Sequence, residues 1–240
     1  MSVLSTGNTA KLYCLNWIER YVAGKGSEVK ILDLGCGTAL NFVNFLRLYP
    51  QISYVGVEPS RDSCLKAQQN LSGLNARVVN SFGYHVYEKL REKFDIVVSL
   101  SVLEHVYRRL DYLGSAKACL KEDGYFLINY DSGHFIHGKE NLIATIGQAI
   151  ARFGIERYYQ SFVKEEDFLR MLERIRFKII EKKFFNTSLK GAYKVIPESK
   201  RADYMKKWLR FELWLNELEI EYDDSKAIFF GTRNFILAHK

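Results

Sequence analysis

The sequence predicts an α/β fold: a doubly wound, mostly parallel seven-stranded sheet with helices on both faces and a helical insertion before the last strand. Three observations carry this expectation. From Val29 to Tyr130, short apolar runs alternate with segments of helical periodicity. The turns between them are short, which suits right-handed crossovers between parallel strands. Beyond Glu165 two aromatic and β-branched runs flank a long helical stretch, the pattern of a closing strand pair.

Taken in order, Leu12, Tyr13, Leu15, Trp17, Ile18 and Tyr21 recur at helical intervals, so Thr9 to Val22 reads as a helix closed by Gly24 and Gly26. Residues 1–26 are read as an N-terminal helical cap and 27–240 as the main domain. Val29 to Leu34 reads as a strand buried on both faces. Gly35, Cys36 and Gly37 then turn the chain into a helix from Leu40 to Tyr49, with Thr38 as its cap. The rhythm continues with strand Ile52–Val57, helix Asp62–Leu71, strand Arg77–Asn80, helix Tyr84–Arg91 and strand Phe94–Leu100. A helix from Arg108 to Lys121 precedes strand Tyr125–Tyr130. Helix Glu165–Ile175, strand Phe177–Phe185, helix Lys200–Ile220 and strand Ile228–Ala238, with a bulge at Gly231, complete the chain. The helical insertion is bounded at 188–224.

Composition narrows the function classes. With 240 residues, 48% hydrophobic, 26% charged and only 3 Pro, the chain suits one large globular domain and excludes disordered or collagen-like classes. Cys14, Cys36, Cys64 and Cys119 form no Cys-x-x-Cys pair and have no His at ligand spacing, so neither a metal nor a disulfide framework is expected. The net charge of +7 comes from basic residues interleaved with acidic ones. That admits an anionic small partner but lacks the basic tract of a nucleic-acid surface. No apolar run approaches the ~20 residues of a membrane span, and Met1 to Lys11 lack a leader pattern, so no membrane partner and a cytoplasmic location are expected.

The segment Ile31-Leu32-Asp33-Leu34-Gly35-Cys36-Gly37-Thr38 ends a strand on a carboxylate and follows it with a glycine turn into a helix. Glycine permits a sharp bend and close ligand approach, and a helix start offers unpaired N–H groups. Glu58, followed by Pro59, ends the next strand about 20 residues on, where doubly wound folds accept both hydroxyls of a ribose. Two hydroxyl donors call for an acceptor-only partner, which an ionised Glu supplies.

Together these residues resemble the class I, Rossmann-like S-adenosylmethionine-dependent methyltransferases of the small-molecule type, over roughly Val29 to Tyr130. The resemblance implies S-adenosyl-L-methionine as cofactor, with Asp33, Gly35, Cys36 and Gly37 near its methionine part and Glu58 with Pro59 at its ribose. Asn80 and Ser81 follow the third strand, where the family often has an Asp beside the adenine; that Asp is absent here. The run Phe94 to Val106 is similar to the stretch that ubiquinone-pathway methyltransferases carry beside the transferable methyl. It implies Ser99 and Leu100 against the cofactor, with Glu104 and His105 at the mouth of the site.

Methyl transfer is an in-line displacement, so alignment and water exclusion matter most. Where the acceptor must lose a proton, His105 is the candidate base, since imidazole titrates near neutrality. His134 and His137, after the fifth strand, and Tyr130 at its end stand where such folds place substrate loops. The expected partner is a small-molecule acceptor methylated on oxygen or nitrogen, a sugar or a phosphorylated metabolite. Lys190, Lys194, Lys200, Arg201, Lys206 and Lys207 would meet its phosphate, and the aromatic stripe around Trp208, Phe211 and Trp214 reads as core packing or a homodimer face, with a lid over the acceptor as the alternative. A nicotinamide dehydrogenase would want a third glycine where Leu40 stands. An RNA methyltransferase and a non-catalytic cofactor-binding module are the remaining alternatives.

Overall fold

Strand β1 (Val29–Leu34) lies at the centre of the sheet, and its alternate side chains divide the core in two. The computed structural model describes residues 9–131, 146–147, 149–153, 156, 159–186, 197–217 and 231–239. Within them the chain runs α1 (Thr9–Lys25), β1, α2 (Leu40–Leu48), β2 (Ile52–Glu58), α3 (Arg61–Asn70) and β3 (Ala76–Asn80). It continues through α4 (Val86–Leu90), β4 (Phe94–Leu100), α5 (Arg109–Cys119), β5 (Leu120–Asp131) and α6 (Glu165–Ile175). Strand β6 (Phe177–Asn186), helix α7 (Glu198–Glu217) and strand β7 (Gly231–His239) complete it.

The seven strands order as β3-β2-β1-β4-β5-β7-β6. The first five are parallel, while β7 enters antiparallel between β5 and β6. The expected fold class is therefore observed. Helices cover both faces because each buried strand is apolar on both sides. Val29 and Ile31 pack with Ile52, Tyr54, Ile96 and Val98 beneath α1, α2 and α3. Leu32 and Leu34 pack with Val55, Val57 and Val97 on the opposite face, beneath α4, α5 and α6.

Three local expectations shift. Helix α5 stops at Cys119 rather than Lys121, because Leu120 is buried and already pairs with Phe94 on β4. Thr38 does not cap α2: Ala39 occupies that position with φ 59°, and the Thr38 carbonyl accepts a hydrogen bond from Asn70 at 2.9 Å. The sheet irregularity falls between Ile179 and Glu181 on β6, whereas the β6–β7 pairing runs without a shift through Gly231. Of the 188–224 insertion the described part is α7, which packs on α1 through a hydrogen bond from Thr9 to the buried Glu212.

At the amino-terminal rim of the strands, Asp95 is nearly inaccessible and is gripped by Lys25, by Lys121 at 3.0 Å and by the Lys30 N–H at 2.9 Å. Burial alone would push this carboxyl up, but the two ammonium groups and the amide hold it below the usual carboxylate range. A depressed carboxyl stabilises the fold above its unfolded pKa, and that contribution fades as the pH falls through the folded value. Asp95→Asn should therefore cost about 1–3 kcal/mol at pH 7. The deficit, followed by thermal unfolding, should shrink below about pH 4.

Candidate functional site

The sheet order reverses between β1 and β4, and doubly wound sheets bind ligands at the carboxyl ends of the strands beside such a point. There the turn after β1 is tied to the end of β2. The Gly35 and Cys36 N–H groups both donate to the Val57 carbonyl, at 2.8 and 3.1 Å. Glu58 grips the same turn, accepting from the Gly37 N–H at 3.0 Å through Oε2 and from the Ser60 N–H at 2.9 Å through Oε1. Glycine is required in this turn. Gly35 and Gly37 have φ of 79° and 55°, and a Cβ on Gly35 would stand 2.6 Å from Val102 Cγ2.

Asp33 lies one step below, on the face shared with α1, α2 and α3, and accepts a hydrogen bond from the buried Tyr54 hydroxyl at 2.7 Å. Burial pushes its carboxyl up to about 7, although the Tyr54 hydroxyl and the charge of Lys11 pull the other way. A carboxyl raised in the folded state disfavours folding once it must ionise. Unliganded protein should therefore lose stability as the pH rises from about 4 to about 7, and Asp33→Asn should flatten that slope in thermal unfolding measured across the range.

A cavity of about 500 Å³ opens beside the turn. Gly35, Glu58, Pro59 and His105 border it, so four of the sequence-derived site residues meet around one space. Cys36 is buried in the same turn, with its Sγ 2.7 Å from where a Cβ of Gly56 would lie. Asn80 and Ser81 turn their side chains to the backbone. Asn80 Nδ2 donates to the Glu58 and Pro59 carbonyls at 2.8 and 3.0 Å, and Ser81 Oγ donates to the Phe82 carbonyl at 3.2 Å. Ser99 and Leu100 are neighbours on β4 and so face opposite sides of the sheet. Ser99 bonds the Tyr112 hydroxyl at 2.7 Å, and Leu100 packs beneath α1 and α2. Tyr130 is fully buried against Phe168 and Phe235. His134 and His137 lie outside the described residues.

Several residues at the site carried no signal at the level of motifs. Phe82, Tyr84 and Tyr112 supply aromatic walls, and Arg61, Asp62 and Glu156 supply charge. With Glu58, three carboxylates border the cavity against one guanidinium among the described residues. The paired aromatics of Phe82-Gly83-Tyr84 directly after β3 were the one legible hint.

Ser101 follows β4 with φ 60°, a conformation that costs a residue with a Cβ roughly 1–2 kcal/mol. Buried Asn129 on β5 offsets that cost. Its Oδ1 accepts from the Ser101 N–H at 2.9 Å and from Ser101 Oγ at 3.3 Å, while its Nδ2 donates to Cys14 Sγ at 3.8 Å. The bend at Ser101 throws Val102 over Gly35 and starts the turn Leu103–His105, in which the His105 N–H donates to the Val102 carbonyl at 2.8 Å. Asn129→Ala should destabilise by about 1–3 kcal/mol. Adding Ser101→Gly should recover about 1 kcal/mol in denaturant titrations, since glycine adopts this φ without penalty.

A family model described as a methyltransferase domain matches residues 32–126. The ubiquinone biosynthesis O-methyltransferase of Rhodopseudomonas palustris is 26% identical over 158 residues, which cover 64% of this chain and 60% of that protein. The chain thus spans three fifths of that relative's length. Among solved structures, an S-adenosylmethionine-dependent methyltransferase from Clostridium acetobutylicum aligns with a TM-score of 0.59 at 13% identity, over 94% of this chain and 90% of that one. Magnesium protoporphyrin IX methyltransferase from Synechocystis, with S-adenosylmethionine bound, aligns with a TM-score of 0.55 at 12% identity, over 96% of this chain and 80% of that one. Likeness at these identities speaks for the fold.

Proposed function

We propose that this chain, which belongs to the class I S-adenosylmethionine-dependent methyltransferase family, moves a methyl group from its cofactor to an oxygen or nitrogen of a small-molecule acceptor. The cofactor that goes with this family is S-adenosyl-L-methionine. The observation that carries the reading is the glycine turn after β1 fastened to Glu58 at the end of β2.

The residues present fit that cofactor. Each Glu58 oxygen accepts one backbone N–H and retains a second lone pair, so the carboxylate can accept both ribose hydroxyls without releasing the turn. At Gly37 a Cβ would meet nothing within 4 Å, so its bare backbone leaves room for the amino-acid part. Among the described residues, three carboxylates against Arg61 give the cavity an acidic lining, which suits a sulfonium cation.

When bound, S-adenosyl-L-methionine supplies an electrophilic methyl. In this reading the chain does the rest. Glu58 and the glycine turn fix the direction of the methyl, Val102, Val106 and Tyr112 help exclude water, and His105 on the cavity wall takes the proton of the acceptor as its oxygen or nitrogen attacks. Oxygen is favoured by the name of the relative, an O-methyltransferase. The acidic, aromatic lining suits a neutral hydroxyl-bearing acceptor, such as a sugar, better than a phosphorylated one. Lys200, Arg201, Lys206 and Lys207 sit on α7 rather than around the cavity, and Lys207 pairs with Asp203 at 2.8 Å; Lys190 and Lys194 lie outside the described residues. The exposed Phe211 and Trp214 of α7 give a homodimer its surface in this reading. Among the described residues no helix is long and apolar enough to cross a membrane.

Calorimetric titration with S-adenosylhomocysteine should show binding that Glu58→Ala weakens about 10- to 100-fold. With hydroxylated acceptors and S-adenosyl-L-methionine, His105→Ala should lower kcat and spare cofactor affinity. Absence of S-adenosylhomocysteine binding by the wild type would sink the reading.

A further inference from the structure

We propose that Glu156 reads the base of the bound nucleoside, its carboxylate accepting the hydrogen bond of the adenine amino group; this rests on the cofactor reading above. Glu156 comes from far along the chain, between β5 and α6, yet it borders the same cavity as Glu58.

A nucleoside held by its ribose at Glu58 sends its base along the adjoining wall. That wall is continuous. The Ser81 N–H donates to the Glu58 carbonyl at 3.2 Å, and Phe82 and the turn Gly83–His85 follow. The Phe82 and Tyr84 rings stack 5.2 Å apart and 15° from parallel, and both residues border the cavity. Tyr84 carries the Arg108 guanidinium 4.8 Å from its ring centre, and its phenol feels the charge of Glu156. The aromatic wall therefore leads from one carboxylate to another.

The edge of adenine presents an amino donor that requires an acceptor. Neither Asn80 nor Ser81 borders the cavity, and the Asn80 amide is turned to the Glu58 and Pro59 carbonyls. Of the carboxylates that do, Glu58 serves the ribose and Asp62 stands exposed in the first turn of α3. Glu156 is half-buried. Its Oε2 accepts from the Tyr107 N–H at 3.3 Å, and among the described residues its Oε1 has no hydrogen-bond partner. Burial pushes its carboxyl up, with the Tyr107 N–H and Arg108 pulling down, so a further donor would favour the charged form.

The segment that follows Glu156 is fixed to the loop that bears His105. Arg109 donates to the Leu103, Ser161 and Phe162 carbonyls at 3.2, 2.9 and 3.3 Å, and the Ser161 N–H donates to the Glu104 carbonyl at 2.9 Å. Tyr159, whose ring meets Tyr107 edge-on at 5.4 Å, donates its N–H to the Glu156 carbonyl at 2.9 Å. Glu156 is thus held at its carbonyl by the Tyr159 N–H and at its carboxylate by the Tyr107 N–H.

The test compares S-adenosylhomocysteine with the analogue that carries unsubstituted purine in place of adenine, titrated calorimetrically into wild type, Glu156→Ala and Glu156→Leu. Wild type should prefer the adenine compound by about 10- to 100-fold, the range for a hydrogen bond to a charged group. Both variants should bind the two compounds within about threefold of each other, with the purine compound bound as in wild type. Equal affinities in the wild type, or a preference that survives in either variant, overturns the assignment to Glu156 and leaves the cofactor reading intact. A wild-type protein that binds neither compound overturns both.

Discussion

The hydrogen bond from the Gly37 N–H to Glu58 joins the turn after β1 to the end of β2, and the geometry of the site follows from it. An ionised acceptor makes this bond stronger than a neutral one, and the Ser60 N–H on the other oxygen keeps the carboxylate from swinging away. Parallel pairing of Leu34 with Val57 brings the two strand ends level, so that turn and carboxylate meet without bending either strand. A slip of one residue would turn Glu58 to the other face of the sheet.

Around that bond the buried polar groups are held by specific partners on neighbouring elements. Tyr54 serves Asp33 from β2, Tyr112 serves Ser99 from α5, and Asn129 serves Ser101 from β5. A buried polar group left without a partner costs about 1–3 kcal/mol, so each pair opposes movement of the strand ends it joins. The opposite rim is held differently. There Asp95 gathers Lys25 and Lys121, and no part of that cluster borders the cavity. One end of the sheet is thus held by ion pairs and the other by hydrogen bonds around an acidic space.

That acidity runs against the molecule as a whole, which carries +7. Among the described residues, three carboxylates converge on the cavity because β2, α3 and the segment before α6 all end or begin at the same rim. A surplus of basic residues elsewhere does not cancel them at contact distance, since charges separated by more than about 8–10 Å of solvent are largely screened. Net charge by itself was therefore a poor guide to the ligand, and it is the local surplus that matches a sulfonium.

The strand–helix alternation, the glycine turn and the carboxylate ending β2 were all legible in the sequence, because each depends on residues within a few positions of one another. The doubly wound sheet and its closing strand pair followed from that local pattern. The opposite directions of Ser99 and Leu100 were implicit in the twofold period of a strand, but which of them faces α5 depends on register with β1 and β5. Glu156, Asn129 and Tyr112 were not legible, because their roles arise from contacts across the chain: Asn129 meets Ser101 across 28 residues and Glu156 meets Tyr107 across 49. Hydrophobic periodicity and turn chemistry are short-range, so the sequence by itself determined the order of elements and the glycine turn after β1. Which distant side chains wall that space was decided only when strand pairing and helix packing brought them to one rim.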